Sequence, residues 1–252
     1  MKSSLSWTLA GVVFLLLLWE LGARLSGSAL ILPGPLPVLS RFFELIQNPR
    51  FLMALWNSFL RVIWGIAIAV PLGITAGIAA GLDLRIRAFL KPLFSVVSAV
   101  PVISVILIAF LVLGSGRTPV FTAFLMIFPV MTANTIEGIS STDFRLKELF
   151  IAYRMSRRET LKYLYIPSLV PFIIGGLRSS LSLCWKVVVA AEVIVQPLRS
   201  LGAGMQQARV QLETPELFAW TLAAVTAAAA TQGILSLALN VCTRRGKRGG
   251  CK

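Results

Sequence analysis

Residues 147–167 read KELFIAYRMSRRETLKYLYIP, a charged segment in a chain of 252 residues of which 57% are hydrophobic and 13% charged. An ordinary soluble domain carries about 25% charged residues, so the surroundings have membrane-protein composition and the segment is the exception to be explained. Together with the leucine just before it, Leu146, Leu149, Phe150 and Tyr153 stand at i, i+3, i+4 and i+7, one stripe of a helix. Ser156-Arg-Arg-Glu159 then fits a capping box, in which the serine hydroxyl and the glutamate carboxylate each satisfy a free backbone N–H. Leu161, Leu164 and Tyr165 give that second helix its apolar face, and Pro167 interrupts its hydrogen-bond ladder and restricts Ile166. The pattern predicts two short amphipathic helices joined at an angle. They either dock in a groove on another protein or lie on lipid with their basic residues among the head groups.

Six apolar runs flank the segment: Leu5 to Ala23, Leu55 to Gly81, Pro92 to Gly114, Pro119 to Ile136, Pro167 to Val195 and Leu217 to Val241. Each is close to or above the roughly 18 to 20 residues that cross a bilayer. The expectation is an all-α polytopic membrane protein with six transmembrane helices. The first run has a cleaved signal peptide as its alternative, but it is long for that purpose and no A-x-A site closes it. With the N-terminus inside, fifteen of the 24 Lys and Arg fall in cytoplasmic segments and six on the other side, which places both termini and the 147–167 segment in the cytoplasm. The division expected is an N-terminal helix at 1–26 and an outer loop with an interfacial helix at 27–54. A core at 55–242 with the hook at 142–166, and a basic tail at 243–252, complete it.

Within the outer loop, Leu39, Phe42, Phe43 and Ile46 share one helical face and predict a helix lying on the membrane surface. Gly65, Ala69, Gly73, Gly77 and Gly81 form a ladder of small residues that admits a close helix neighbour, either inside the chain or in a second copy. Pro71, Pro101, Pro129 and Pro171 lie in spans and predict kinks or breaks. The net charge of +14 sits in loops and tail, where anionic lipid accounts for it and nucleic acid is not implied. Cys184, Cys242 and Cys251 have no paired spacing, and the chain has no histidine, so neither a disulfide framework nor a metal site is expected.

The central segment resembles the cytoplasmic loop of ABC-importer inner-membrane permeases, which reads E-A-A, three residues, G, nine residues, I-x-L-P. Glu148 takes the first place and Pro167 the last without a gap, and Leu164 and Ile166 fill the aliphatic places. Leu149 and Phe150 replace the alanines, and Arg154 replaces the glycine that eases the turn. The strings LPGP, NSFLRVIWG, FPVMTANTIEGI, GGLRSSLSLCWKVVVAAEV and SLGAGM are similar to those of permeases importing nitrate, sulfonates, taurine, bicarbonate or thiamine precursors. The resemblance covers roughly residues 30–235. It implies a type I importer permease in the bacterial inner membrane, paired with a second copy, two ATPase subunits inside and an extracytoplasmic solute-binding protein outside. ATP would bind the partner subunit, with no cofactor in this chain. The ATPase-coupling residues carried over are Glu148, Leu149, Phe150, Tyr153, Arg154, Ser156, Glu159 and Pro167.

Arg178, Lys186 and Glu192 lie in one apolar run, where charges are rare unless paired or functional. Arg178 and Glu192 are about 21 Å apart on a straight helix and do not pair with each other. Arg178 either lines a translocation path or ties to carbonyls or a carboxylate elsewhere, and Glu192 has a structural or gating role. An enzyme lacks its parts, since there is no G-x-x-x-x-G-K-[ST], no histidine and no carboxylate pair in a span. An ion-gradient carrier is the remaining alternative, although no duplicated halves are visible.

Overall fold

A computed structural model describes residues 2–249, with side-chain surroundings for residues 6–156 and 158–239. The end of the expected basic tail, with Cys251, lies outside the described residues, as do the side chains of Lys2 and Cys242. The described residues form α-helices and one π turn. In chain order the helices are α1 (Lys2–Leu25), α2 (Pro35–Ile46), α3 (Pro49–Leu82), α4 (Leu84–Ala99), α5 (Val102–Ser140), α6 (Phe144–Ala152), α7 (Arg157–Thr160), α8 (Ile166–Val195), α9 (Leu201–Val210) and α10 (Thr214–Gly249).

Three long helices, α3, α5 and α8, make the core. The small-residue ladder of α3 is covered by α5 of the same chain. A methyl group placed on Gly73 would stand 2.6 Å from Met131 Cβ, and one on Gly81 2.7 Å from Ile139 Cδ1. Opposite the ladder, α5 presents buried threonines, and their hydroxyls are satisfied one turn back. Thr122 Oγ donates to the Thr118 carbonyl at 2.7 Å, Thr132 to Phe128 at 2.8 Å and Thr135 to Met131 at 2.8 Å. Glycine on one helix and self-satisfied threonine on the other let two backbones approach with no polar atom left open to lipid. Around this seam Val62, Ile127, Met131 and Val188 are fully buried.

Among the described residues five helical stretches are long and apolar enough to cross a bilayer: Ser6–Leu25, Pro49–Leu82, Val102–Ser140, Arg158–Val195 and Thr214–Leu239. The expected third span, Pro92–Gly114, is therefore corrected. Pro101 has no N–H and holds Val100 extended at φ −74°, ψ 129°, so α4 stops at Ala99 and α5 begins at Val102. Helix α5 then runs through Gly114 into the expected fourth span, Pro119–Ile136. Its 39 residues would measure about 58 Å unbroken, against a hydrocarbon core of about 30 Å. Gly114, at φ 71°, ψ 174°, divides it into 102–113 and 115–140. Pro71, Pro129 and Pro171 remain inside continuous helices, so only one of the four expected interruptions, at Pro101, ends a helix. Helix α10 continues past its candidate span, which ends at Leu239, to Gly249.

Helix α2 forms where the loop helix was expected, but it has two apolar stripes. Val38, Phe42 and Leu45 turn inward, with Phe42 and Phe51 rings 6.5 Å apart, while Leu39, Phe43 and Ile46 remain exposed. Arg41 ties α2 to the start of α10, with Nη2 2.5 Å from Glu216 Oε2 and Nη1 2.8 Å from Glu44 Oε2. These carboxylates raise the Arg41 pKa further above its ordinary value and keep the guanidinium charged. The Thr214 hydroxyl donates to the Leu30 carbonyl at 2.7 Å and Trp19 Nε1 to Pro33 at 3.0 Å, which fastens the end of α1 and the outer loop against α10.

Candidate functional site

Two features stand out, a projecting hook between α5 and α8 and the charges on α8. The hook starts at Asp143, whose side chain caps α6 by accepting from Arg145 N at 2.9 Å. Helix α6 has no buried residue. Phe144, Ile151 and Tyr153 are exposed, Leu149 is half exposed, Glu148 is exposed, and Phe150 is partly covered. The helix ends in a Schellman turn: Arg154 N donates to Ile151 O at 2.9 Å and Met155 N to Phe150 O at 3.1 Å. Arg154 is the C′ residue of that turn at φ 52°. This is the place of the family-type glycine, and the left-handed conformation explains why glycine suits it, at a cost to arginine of about 1 to 2 kcal/mol.

The capping box at Ser156 is formed. Ser156 N and Oγ donate to Glu159 Oε2 at 2.8 and 2.7 Å, and Glu159 N donates to Ser156 Oγ at 3.3 Å. The second helix differs from expectation in where it goes. Helix α7 is one turn, passes through a π turn at Leu161–Tyr165 and enters α8 without a stop. Pro167 thus lies where the π turn passes into α8, a place where its missing N–H interrupts the regular ladder, and the Ser168 hydroxyl donates to the Leu164 carbonyl at 2.8 Å. All eight hook residues named from the sequence are brought together on this one projection.

Arg178 and Glu192 are not brought together. Glu192 is fully buried and forms a node between three helices. Arg61 Nη1 of α3 donates to Glu192 Oε1 at 2.7 Å. The Ser58 hydroxyl lies 2.7 Å from Glu192 Oε2, and Gly202 N of α9 donates to that same oxygen at 3.2 Å. Ser58 Oγ in turn accepts from Leu201 N at 3.0 Å. The chain reverses into α9 through left-handed Gln196 and Arg199, at φ 44° and 51°, and the Ser200 hydroxyl caps it on Ala203 N at 3.2 Å. Gly202 packs so closely on Val193 N and Glu192 that a Cβ has no room. Ser58, Arg61 and Gly202 were missed in the sequence. An arginine in one span facing a glutamate in another was the available signal.

Arg178 has no hydrogen-bond or ionic partner among the described residues. It lines an open groove of about 370 Å³ between α8 and α10 with Ala229, Gln232, Gly233 and Ser236. The exposed residues of α8 are Ile166, Pro167, Val170 and Pro171 near its start and then Gly175, Arg178, Ser179, Lys186 and Ala190, with Ser182 partly covered. On α3 the large uncovered residues are Leu52, Met53, Trp56, Ile63, Trp64, Ile68, Leu72 and Leu82, with Arg50 at its start and Thr75 as exposed polar residues. Large apolar side chains suit lipid. A face of glycine, serine and two unpaired cations does not, because charge at membrane depth stays in water, in protein or paired.

Comparison with known proteins agrees with this architecture. The family described as binding-protein-dependent transport system inner membrane component matches residues 69–246. The riboflavin transport system permease protein of Chloroflexus aurantiacus is 32% identical over 219 residues, 85% of this chain and 81% of that one. The bicarbonate transport system permease protein of Synechococcus elongatus is 29% identical over 207 residues, 77% and 73% of the two chains. The taurine transport system permease protein of Escherichia coli is 29% identical over 239 residues, 92% and 85%. An all-helical chain with several bilayer-length apolar helices, a projecting hook between two of them and a match across most of its length belongs to the inner-membrane permeases of binding-protein-dependent ABC importers, with their type I permease fold.

Proposed function

We propose that this chain, as one of two copies in a homodimer, forms the translocation path of an ATP-driven importer for a small solute of the nitrate, sulfonate, taurine, bicarbonate or thiamine-precursor class. Two ATPase subunits bind ATP and grip the hook from the cytoplasm, where both termini also lie. An extracytoplasmic binding protein delivers the solute to the outer face. Glu148, Leu149, Phe150, Tyr153, Arg154, Ser156, Glu159 and Pro167 form or shape the surface that the ATPase holds. Arg178 lines the path, and Glu192 holds α9 against α3 and α8 at its outer end.

The observation that carries this reading is the hook itself. Helix α6 has no buried residue, yet it projects Phe144 and Ile151 outward, with the C-cap Tyr153 exposed beside them, and it is held in shape by a Schellman turn and a capping box. An apolar surface kept rigid and uncovered fits a groove on a partner. Replacing Glu148 and Phe150 together by Ala tests it in the complex purified from membranes. The expected result is loss of the ATPase from the purified chain, with the spans still folded. Unchanged ATPase co-purification and unchanged ATP-driven uptake would overturn it.

A further inference from the structure

We infer that the uncovered face of α8 is a charge filter, in which Lys186 and Arg178 select for anionic solutes within the membrane. The inference rests on the proposed reading of that face as the translocation path. It goes further by assigning discrimination to this chain, in addition to any made by a binding protein outside.

The two cations of α8 differ from the buried charge pair of the node. Glu192 and Arg61 neutralise each other at 2.7 Å. Lys186 and Arg178 have no carboxylate or carbonyl partner among the described residues, and both side chains are exposed. They are eight residues apart, about 12 Å along α8. Between and beside them lie Ser179, Ser182 and Gly175, and Arg178 opens onto Gln232 and Ser236 of α10. Among the apolar residues of the groove the lining thus includes hydrogen-bond donors and acceptors of the kind that a partly dehydrated oxyanion needs.

Glu137 of α5 supplies the opposite sign. It is exposed and without a partner among the described residues. Its neighbour Gly138 packs on Leu169 and Phe172, so Glu137 lies six to nine residues nearer the start of α8 than Arg178, about 9 to 14 Å. Arg178 itself faces α10, since Gly176, two residues before it, is the position packed on Asn134 and Met131 of α5. From the outer end the order is Lys186, Arg178, Glu137. The order along the helices is two attractive charges and then a repulsive one, which favours entry of an anion without retention at the inner end, the balance that permeation requires.

The test needs no knowledge of the solute. Ser182→Cys places a thiol about 6 Å from each cation, in a chain with Cys184→Ala, Cys242→Ser and Cys251→Ser, assembled with its ATPase in membrane vesicles. Labelling rates are compared for the anionic sulfonatoethyl and the cationic trimethylammonioethyl methanethiosulfonates, with and without ATP and vanadate. The expected anionic-to-cationic rate ratio, corrected for each reagent's rate with free thiol, is at least about tenfold, from a unit charge at that distance in a water-lined passage. It falls toward one in the Arg178→Gln, Lys186→Gln double variant and is kept by Arg178→Lys. Equal rates for both reagents would overturn the filter while leaving a water-lined path. No labelling by either reagent in any state would overturn the path reading as well.

Discussion

Removing the Glu192 carboxylate is the sharpest test of how this bundle is held together. Glu192→Ala deletes the acceptor of three hydrogen bonds, from Arg61, Ser58 and Gly202, and leaves the Arg61 guanidinium, 15% exposed, without a counter-charge. Breaking a buried pair by removing one partner costs about 3 to 5 kcal/mol, because the remaining charge is still desolvated. For a chain of this size that corresponds to a fall in melting temperature on the order of 10 °C. The assay is thermal unfolding of the detergent-purified chain, followed by tryptophan fluorescence. Arg61→Ala should cost a similar amount, and the double variant should cost less than the sum, since neither charge is then stranded. A melting temperature for Glu192→Ala within a degree or two of the parent, or strict additivity in the double variant, would refute the node as a structural tie. A loss of transport with unchanged melting would assign Glu192 to gating instead.

Three further outcomes follow from the packing. Gly77→Ala should destabilise by about 1 to 3 kcal/mol, because its methyl group meets Thr135 and stands 2.9 Å from the Thr132 carbonyl; Gly175→Ala, with nothing within 4 Å, should not, and the same melting assay compares them. Arg154→Gly relieves about 1 kcal/mol or more of left-handed strain but loosens the unfolded chain by a comparable amount, so it should leave ATPase co-purification intact, whereas Arg154→Ile should weaken it. Arg41→Ala should cost only about 1 kcal/mol, since the arginine is partly exposed, yet amide exchange of α2 residues 38–46 should accelerate while that of α3 stays unchanged.

The sequence shows most clearly what local chemistry enforces. The Ser156–Glu159 capping box and the α6 stripe depend on residues three or four apart, and both are present as read. The glycine ladder was legible as a close-approach surface, but its partner could not be read, because the matching threonines of α5 lie more than fifty residues away and look like ordinary polar interruptions. The third span was misread for a related reason. Apolar content alone cannot tell one helix from two pieces joined at Pro101, and a glycine such as Gly114 reveals its left-handed φ only once the chain is folded. Helix α2 shows the same limit in reverse: the stripe counted from the sequence mixes Phe42, which packs inward, with Leu39, Phe43 and Ile46, which do not. The Glu192 node is the largest omission. Glu192 stood out as a charge in an apolar run, but only tertiary packing brings Ser58, Arg61 and Gly202 to its carboxylate.

These features have one consequence for how the proposed importer would work, because hook, path and outer node share a helix. From Ile166 to Val195 α8 has no non-helical residue, so a push at the hook reaches Arg178, Lys186 and Glu192 with little loss to bending. The weak point is the π turn at Leu161–Tyr165, where looser hydrogen bonding is concentrated. The glycine–threonine seam fixes α5 to α3, and the node fixes α8 to both α3 and α9. Motion of the hook is therefore resisted at its far end and free along the uncovered face of α8. That is the face on which the two unpaired cations stand, so any displacement of α8 driven from the hook would carry both charges with it.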